Sequence, residues 1–115
     1  MKTEHIQHGT VLVVVPDGAL IEEESEGFAS SVRRCFQGGN VKIILQMNNV
    51  PFIDSAGLET LVALYGEALG LGGEVKISSP TDIGRDILKA TRIDSLIEVY
   101  DATPDARRSF VETGV

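Results

Sequence analysis

Two neighbouring residues, Asp54 and Ser55, carry the most distinctive chemistry of this chain. They stand between an apolar run at residues 41–45 and a helical pattern that begins at Leu58. Residues 50–58 therefore read as a strand end, a tight connection and a helix opening at Asp54 or Ser55. Side-chain oxygens are favoured at such openings because they accept hydrogen bonds from the first unpaired backbone N–H groups. Aligned peptide dipoles also leave about half a positive charge there, so a phosphate placed at that end is stabilised. Ser55 is thus either a helix cap or the acceptor of a phosphoryl group. A cap alone predicts that Ser55→Ala costs about 1 kcal/mol of stability and nothing else.

Few other residues are arranged for chemistry. The two histidines, His5 and His8, are three apart in a segment read as extended, which points them to opposite faces and makes them poor joint metal ligands. Cys35 falls on the apolar face of a helical pattern and reads as core. Being the only cysteine, it excludes an internal disulfide, as expected in a reducing compartment. Gly70, Gly72 and Gly73 follow a helix rather than a strand, so they read as a helix stop and not as a nucleotide-binding turn. No Gly-x-Ser-x-Gly surrounds Ser55, which removes the serine-hydrolase elbow. The expectation is a protein without catalytic residues, cofactor or metal.

The net charge of −7 argues against nucleic acid, whose phosphates need clustered Lys and Arg, while Arg33-Arg34 and Arg107-Arg108 are isolated pairs. The run from Glu22 to Glu26 reads either as the solvated first turn of a helix or as an acidic patch for a basic partner. Hydrophobic residues make up 43% of the 115, enough for one packed domain, expected to span 1–115. The longest apolar run, 11–15, is far too short to cross a bilayer, and residues 1–5 lack the apolar stretch of a secretory signal. A cytoplasmic location is expected.

The elements that must position Asp54 and Ser55 alternate along the chain. Residues 10–15 form a β-branched strand pattern ended by Pro16-Asp17-Gly18, and 5–7 read as an edge strand before it. Phe28, Val32, Cys35 and Phe36 mark a helix from Glu22 that Gly38-Gly39 closes. Residues 41–45 are apolar enough for a strand buried on both faces. Leu58, Leu61, Val62, Tyr65 and Leu69 predict the apolar face of the next helix. A strand at 74–78, a helix through Ile83 and Leu88 opened by Pro80-Thr81-Asp82, a strand at 96–100 and a helix at 104–111 complete the order. Strands alternating with helices in so short a chain imply an α/β fold with helices on a central sheet.

Two families resemble this layout. The stretch from Val41 through Gln46 and Met47 to Pro51 is similar to the phosphoacceptor strand of two-component receiver domains. Gln46, however, stands where the acyl phosphate would form, and an amide cannot form one. The acidic pair expected after the first strand is also missing. The stronger resemblance is to the STAS family, the domain of anti-sigma factor antagonists. Its pattern of Asp-Ser-[Ser/Thr/Ala]-Gly-Leu, long helix, Gly-Gly stop and strand is matched by Phe52 to Leu58, Gly72-Gly73 and 74–77. Ser79-Pro80, the helix through Leu88, and Ile93-Asp94-Ser95-Leu96 continue in the family's order.

That resemblance implies a central mixed sheet carrying about four helices, no enzymatic activity, and phosphorylation of Ser55 by a partner kinase. Asp54, Ala56, Gly57, Leu58 and Gly18 match positions of a partner-binding surface, with Gly57 letting the helix start be approached closely. The implied partner is an anti-sigma serine kinase of ATPase fold, with a phosphatase to reverse the modification. A STAS scaffold subunit of a sensory assembly, or a soluble STAS subunit of a lipid-transport ATP-binding-cassette complex, is the alternative. One departure bears on that choice: where the family has Gly-Glu-Leu-Asp, this chain has Gly18-Ala19-Leu20-Ile21, without either acid.

Overall fold

The computed structural model describes residues 1–113 and follows the alternation read from the sequence. Five strands form one mixed sheet in the order β1-β2-β3-β4-β5: β1 (Lys2–His8), β2 (Val11–Asp17), β3 (Lys42–Gln46), β4 (Glu74–Ser78) and β5 (Val99–Tyr100). The first pair is an antiparallel hairpin in which His8 faces Val11, and the other three pairings are parallel. Helices α1 (Glu22–Gln37), α2 (Ser55–Gly70) and α3 (Asp82–Ala90) are the crossovers between the parallel strands, and α4 (Thr103–Thr113) follows the last one.

Strand parity divides the core. Leu12 and Val14 of β2, Ile43 and Leu45 of β3, and Val75 and Ile77 of β4 pack with Phe28 and Val32 of α1, Leu61 and Leu64 of α2 and Leu88 of α3. The intervening residues Val11, Val13, Val15 and Ile44 pack on the other face against Ala106 and Phe110 of α4. Residues covered on both faces explain why β2 and β3 read as continuous apolar runs.

Besides shifts of a few residues at other element ends, two boundaries and one buried stripe differ from the sequence reading. Strand β2 runs through Pro16, which pairs with Thr3. The missing N–H is tolerated there because pairing to β3 already ends at Val14. The segment at 96–100 is extended only at Val99–Tyr100, because Arg92 turns left-handed (φ 61°) and a single 3₁₀ turn at Ile93–Ser95 takes up the chain. Helix α2 shows a different buried stripe from the expected one: Gly57, Leu61, Leu64 and Ala68 face the core, while Val62 and Leu69 are exposed. That helix is apolar on most sides, so periodicity alone could not say which side the sheet would cover.

Candidate functional site

The site is built where the β2–α1 and β3–α2 connections run side by side. Gly18 has φ 119°, a backbone state that favours glycine, and its N–H donates to Asn49 O (2.9 Å). Leu20 N–H donates to Phe52 O (2.9 Å) and Asp54 N–H to Leu20 O (3.1 Å), which carries the parallel pairing beyond the strands. Gly57 closes this contact. A Cβ on it would lie 2.2 Å from Leu20 O and 2.9 Å from Ile53 Cγ2, so only glycine allows α2 to begin against the neighbouring connection.

Asp54 holds two helix starts at once. Its Oδ1 accepts from Gly57 N–H (2.9 Å) in α2, and its Oδ2 accepts from Glu22 N–H (3.0 Å) in α1. The cap position of α1 is Ile21, whose side chain offers no oxygen, and Asp54 takes up the first-turn donor instead. This corrects the expectation of Ser55 as a possible cap: the cap is Asp54, and Ser55 is the first residue of α2. The Ser55 side chain is exposed and its hydroxyl bonds to no described residue. Its own N–H and that of Ala56 lie before any intrahelical acceptor, so they remain available as donors.

Around Ser55 the expected site residues separate by exposure. Ala56 and Leu58 are half-buried and reach the surface, whereas Gly57 is buried and acts by letting the helix approach rather than as a contact. Gly18 lies half-buried in the adjoining connection. The sequence reading missed Ala63 and Ile93 and took Val62 for core. With Ser55 and Leu58 these residues line an open groove of about 470 Å³ between α2 and the end of α3. The only signal in the sequence was that α2 carries apolar residues on most of its sides, and the rotation of the helix was needed to tell which of them reach the surface.

The remaining candidates lie elsewhere. Cys35 is buried in the core, its thiol donating to Ser31 O (3.4 Å), and burial pushes its pKa up. His5 faces α1, with Nδ1 3.8 Å from Cys35 Sγ, while His8 lines a cleft on the other face with Arg107 and Arg108. Among the described residues no three His, Cys, Asp or Glu side chains are grouped to hold a metal ion, and no helix is long and apolar enough to cross a membrane.

One mixed sheet with a doubly anchored helix start and an exposed serine defines the class, a small α/β domain that presents a serine at a helix end. The chain belongs to the STAS domain family, whose model matches residues 2–106. A Thermotoga neapolitana relative, provisionally named an anti-sigma factor antagonist, is 28% identical over 97 residues, covering 84% of this chain and 86% of the relative. The crystal structure of a Thermotoga maritima protein of the same provisional description superposes with a TM-score of 0.88 at 24% identity, covering 93% of this chain and 92% of that one. The unphosphorylated anti-sigma factor antagonist SpoIIAA superposes with a TM-score of 0.71 at 18% identity, covering 97% and 99%. These two superpositions establish the fold.

Proposed function

We propose that this STAS domain is an anti-sigma factor antagonist, a binding module without catalytic activity whose partner contact is switched by phosphorylation of Ser55. The observation that carries this reading is the Ser55 hydroxyl: exposed, bonded to no described residue, and carried on a backbone that Asp54 and Gly57 hold on both sides. A kinase can reach such an oxygen without disturbing the fold. The unphosphorylated domain binds an anti-sigma serine kinase of ATPase fold through the surface around Asp54, Ser55, Ala56 and Leu58, and so frees a sigma factor. Phosphorylation adds about −1.5 to −2 charges at this point. The free N–H groups at the start of α2 accommodate the phosphate, so the domain stays folded. A partner packed on the hydroxyl instead meets a hydrated dianion next to the Asp54 carboxylate. Each 1.4 kcal/mol so lost is about tenfold in affinity. A phosphatase restores the binding form.

Residues Ala19 and Ile21 support a second reading. Both acids that the family carries in this connection are gone, and Ile21 contributes no side-chain cap to α1. A STAS subunit of a sensory scaffold or of a lipid-transport complex fits a partner surface altered in this way.

Affinity capture with wild type and Ser55→Asp, followed by mass spectrometry, separates the two. Retention of an ATPase-fold serine kinase by wild type and its loss with Ser55→Asp is the expected result. Identical partners for both proteins would remove the switch, and transporter or scaffold components among them would favour the second reading.

A further inference from the structure

Resting on the reading of Ser55 as a partner contact, we infer that the partner surface is divided along α2 into an apolar lane and an acidic lane. Its occupant is an amphipathic helix of the partner, apolar along one stripe and basic along the adjoining edge.

The apolar lane is the groove between α2 and the end of α3. Leu58 and Val62 stand one helical turn apart on α2, Ile93 forms the opposite wall, and Glu59 and Ala63 form the ridge that borders both lanes. The groove is open to solvent, so a small molecule lying in it would keep much of its surface wet. A helix laid along it would be covered by side chains at i and i+4, the anchoring pattern of helix-in-groove recognition.

The acidic lane runs on the other side of the same helix. Glu22 and Glu26 of α1 and Glu59 of α2 border a depression of about 380 Å³ between α1 and α2. Arg33, the cation at its edge, is held by two 2.8 Å hydrogen bonds to Glu67. Glu22, Glu26 and Glu59 therefore have no ion pair with any described residue. The dipole of α1 accounts for acids in its first turn, but Glu26 lies past that turn and Glu59 on another helix. Charge complementarity thus assigns Lys and Arg to the facing edge of the partner.

Ser55 opens onto the apolar lane and not onto the acidic one. A phosphate there would not act by repelling the partner's basic edge, which a dianion attracts. It acts by keeping water in a contact that has to dry. The two lanes should consequently respond to different variables: phosphorylation to the apolar lane, ionic strength to the acidic one.

The test uses a synthetic helical peptide of about 18 residues, five turns, with a leucine stripe and a lysine edge. A control peptide carries glutamate in place of lysine. Each is titrated into the isotope-labelled full chain and followed by NMR. Shifts centred on Leu58, Val62, Ala63, Ile93 and the three glutamates are expected. Preference for the lysine peptide should be about tenfold or more at low salt and fall as salt is added. Val62→Asn, polar but uncharged, should weaken binding about tenfold without changing the salt slope. Ala63→Gln, which fills the groove from an exposed position, should do the same. A triple Glu22→Gln, Glu26→Gln, Glu59→Gln variant should retain residual binding and lose the salt slope.

Equal binding of both peptides, or shifts away from the two lanes, would overturn the inference. A kinase that responds to Ser55→Asp but not to Val62→Asn would remove the lanes and leave the proposed function standing. Peptide binding as expected, with no kinase captured, would do the reverse.

Discussion

The start of α2 and the underside of the sheet beneath α4 treat a polar side chain in opposite ways. Beneath α4, Lys76 of β4 is 1% exposed. Its ammonium donates to Ser109 Oγ (2.6 Å), pairs with Glu98 (3.2 Å) and sits 4.3 Å from the centre of the Phe110 ring. Every donor of that group has something to do, as burial of a charge requires. At the start of α2 the backbone is also held, by Asp54 and Gly57, yet the Ser55 hydroxyl faces solvent and bonds to no described residue. Enclosure with full satisfaction serves stability. In the proposed function, a rigid frame around a free hydroxyl serves recognition.

Substitutions in the two regions can break this contrast, and the largest effect is expected from the frame itself. Gly57→Ala forces the start of α2 away from Leu20 O and should cost on the order of 3 kcal/mol in chemical denaturation. A cost below about 0.5 kcal/mol, the range of ordinary surface changes, would mean that the close approach is not required. Lys76→Ala leaves a void under α4 and should cost about 2 kcal/mol.

The same cluster carries a pH dependence. The Tyr100 hydroxyl, and after it Lys76, holds the Glu98 carboxyl below its ordinary pKa against the opposing effect of burial. A carboxylate with a lowered folded-state pKa contributes stability that is present above its unfolded pKa and is lost as pH falls through the folded value. Denaturation curves collected down through the carboxylate range should show that loss in wild type and less of it in Lys76→Ala, where the Tyr100 contact remains. Loss of equal size in both proteins would assign the lowering to Tyr100 alone.

Next in size, Asp54→Ala removes an acceptor shared by two helix starts and should cost about 1 to 2 kcal/mol. Asp54→Asn, which keeps one oxygen, should fall between that variant and wild type. The smallest effect sharpens the comparison most. Ser55→Ala should change stability by less than about 0.5 kcal/mol, because the hydroxyl holds nothing. The same variant should accept no phosphate from a partner kinase in a radiolabelling assay. A cost of about 1 kcal/mol would return Ser55 to the role of cap.

Much of this was legible in the chain. The alternation of strands and helices, Asp54-Ser55 at a helix opening, and the burial of Cys35 all follow from local patterns: branched apolar runs, oxygen-bearing residues before a periodic segment, and a helical face. Less visible was which oxygen caps α2. Asp and Ser are both good caps, and the choice depends on Glu22, 32 positions away, whose N–H fixes the Asp54 carboxylate from the other side. Nor could the sequence show that Val62 faces outward. Leu, Val and Ala on most sides of α2 leave its rotation to whichever stripe the sheet covers, here Gly57, Leu61, Leu64 and Ala68.

The sequence by itself determined the fold class and the candidate serine, because both rest on contacts between near neighbours along the chain. Tertiary structure alone decided what that serine is free to do. Only when two connections pair, one carboxylate holds both helix starts, and α2 turns its Val62 edge outward does Ser55 become an exposed hydroxyl, bonded to no described residue, at the rim of an apolar groove. Those relations join residues distant in sequence, and burial and hydrogen-bond satisfaction set them over the whole molecule at once.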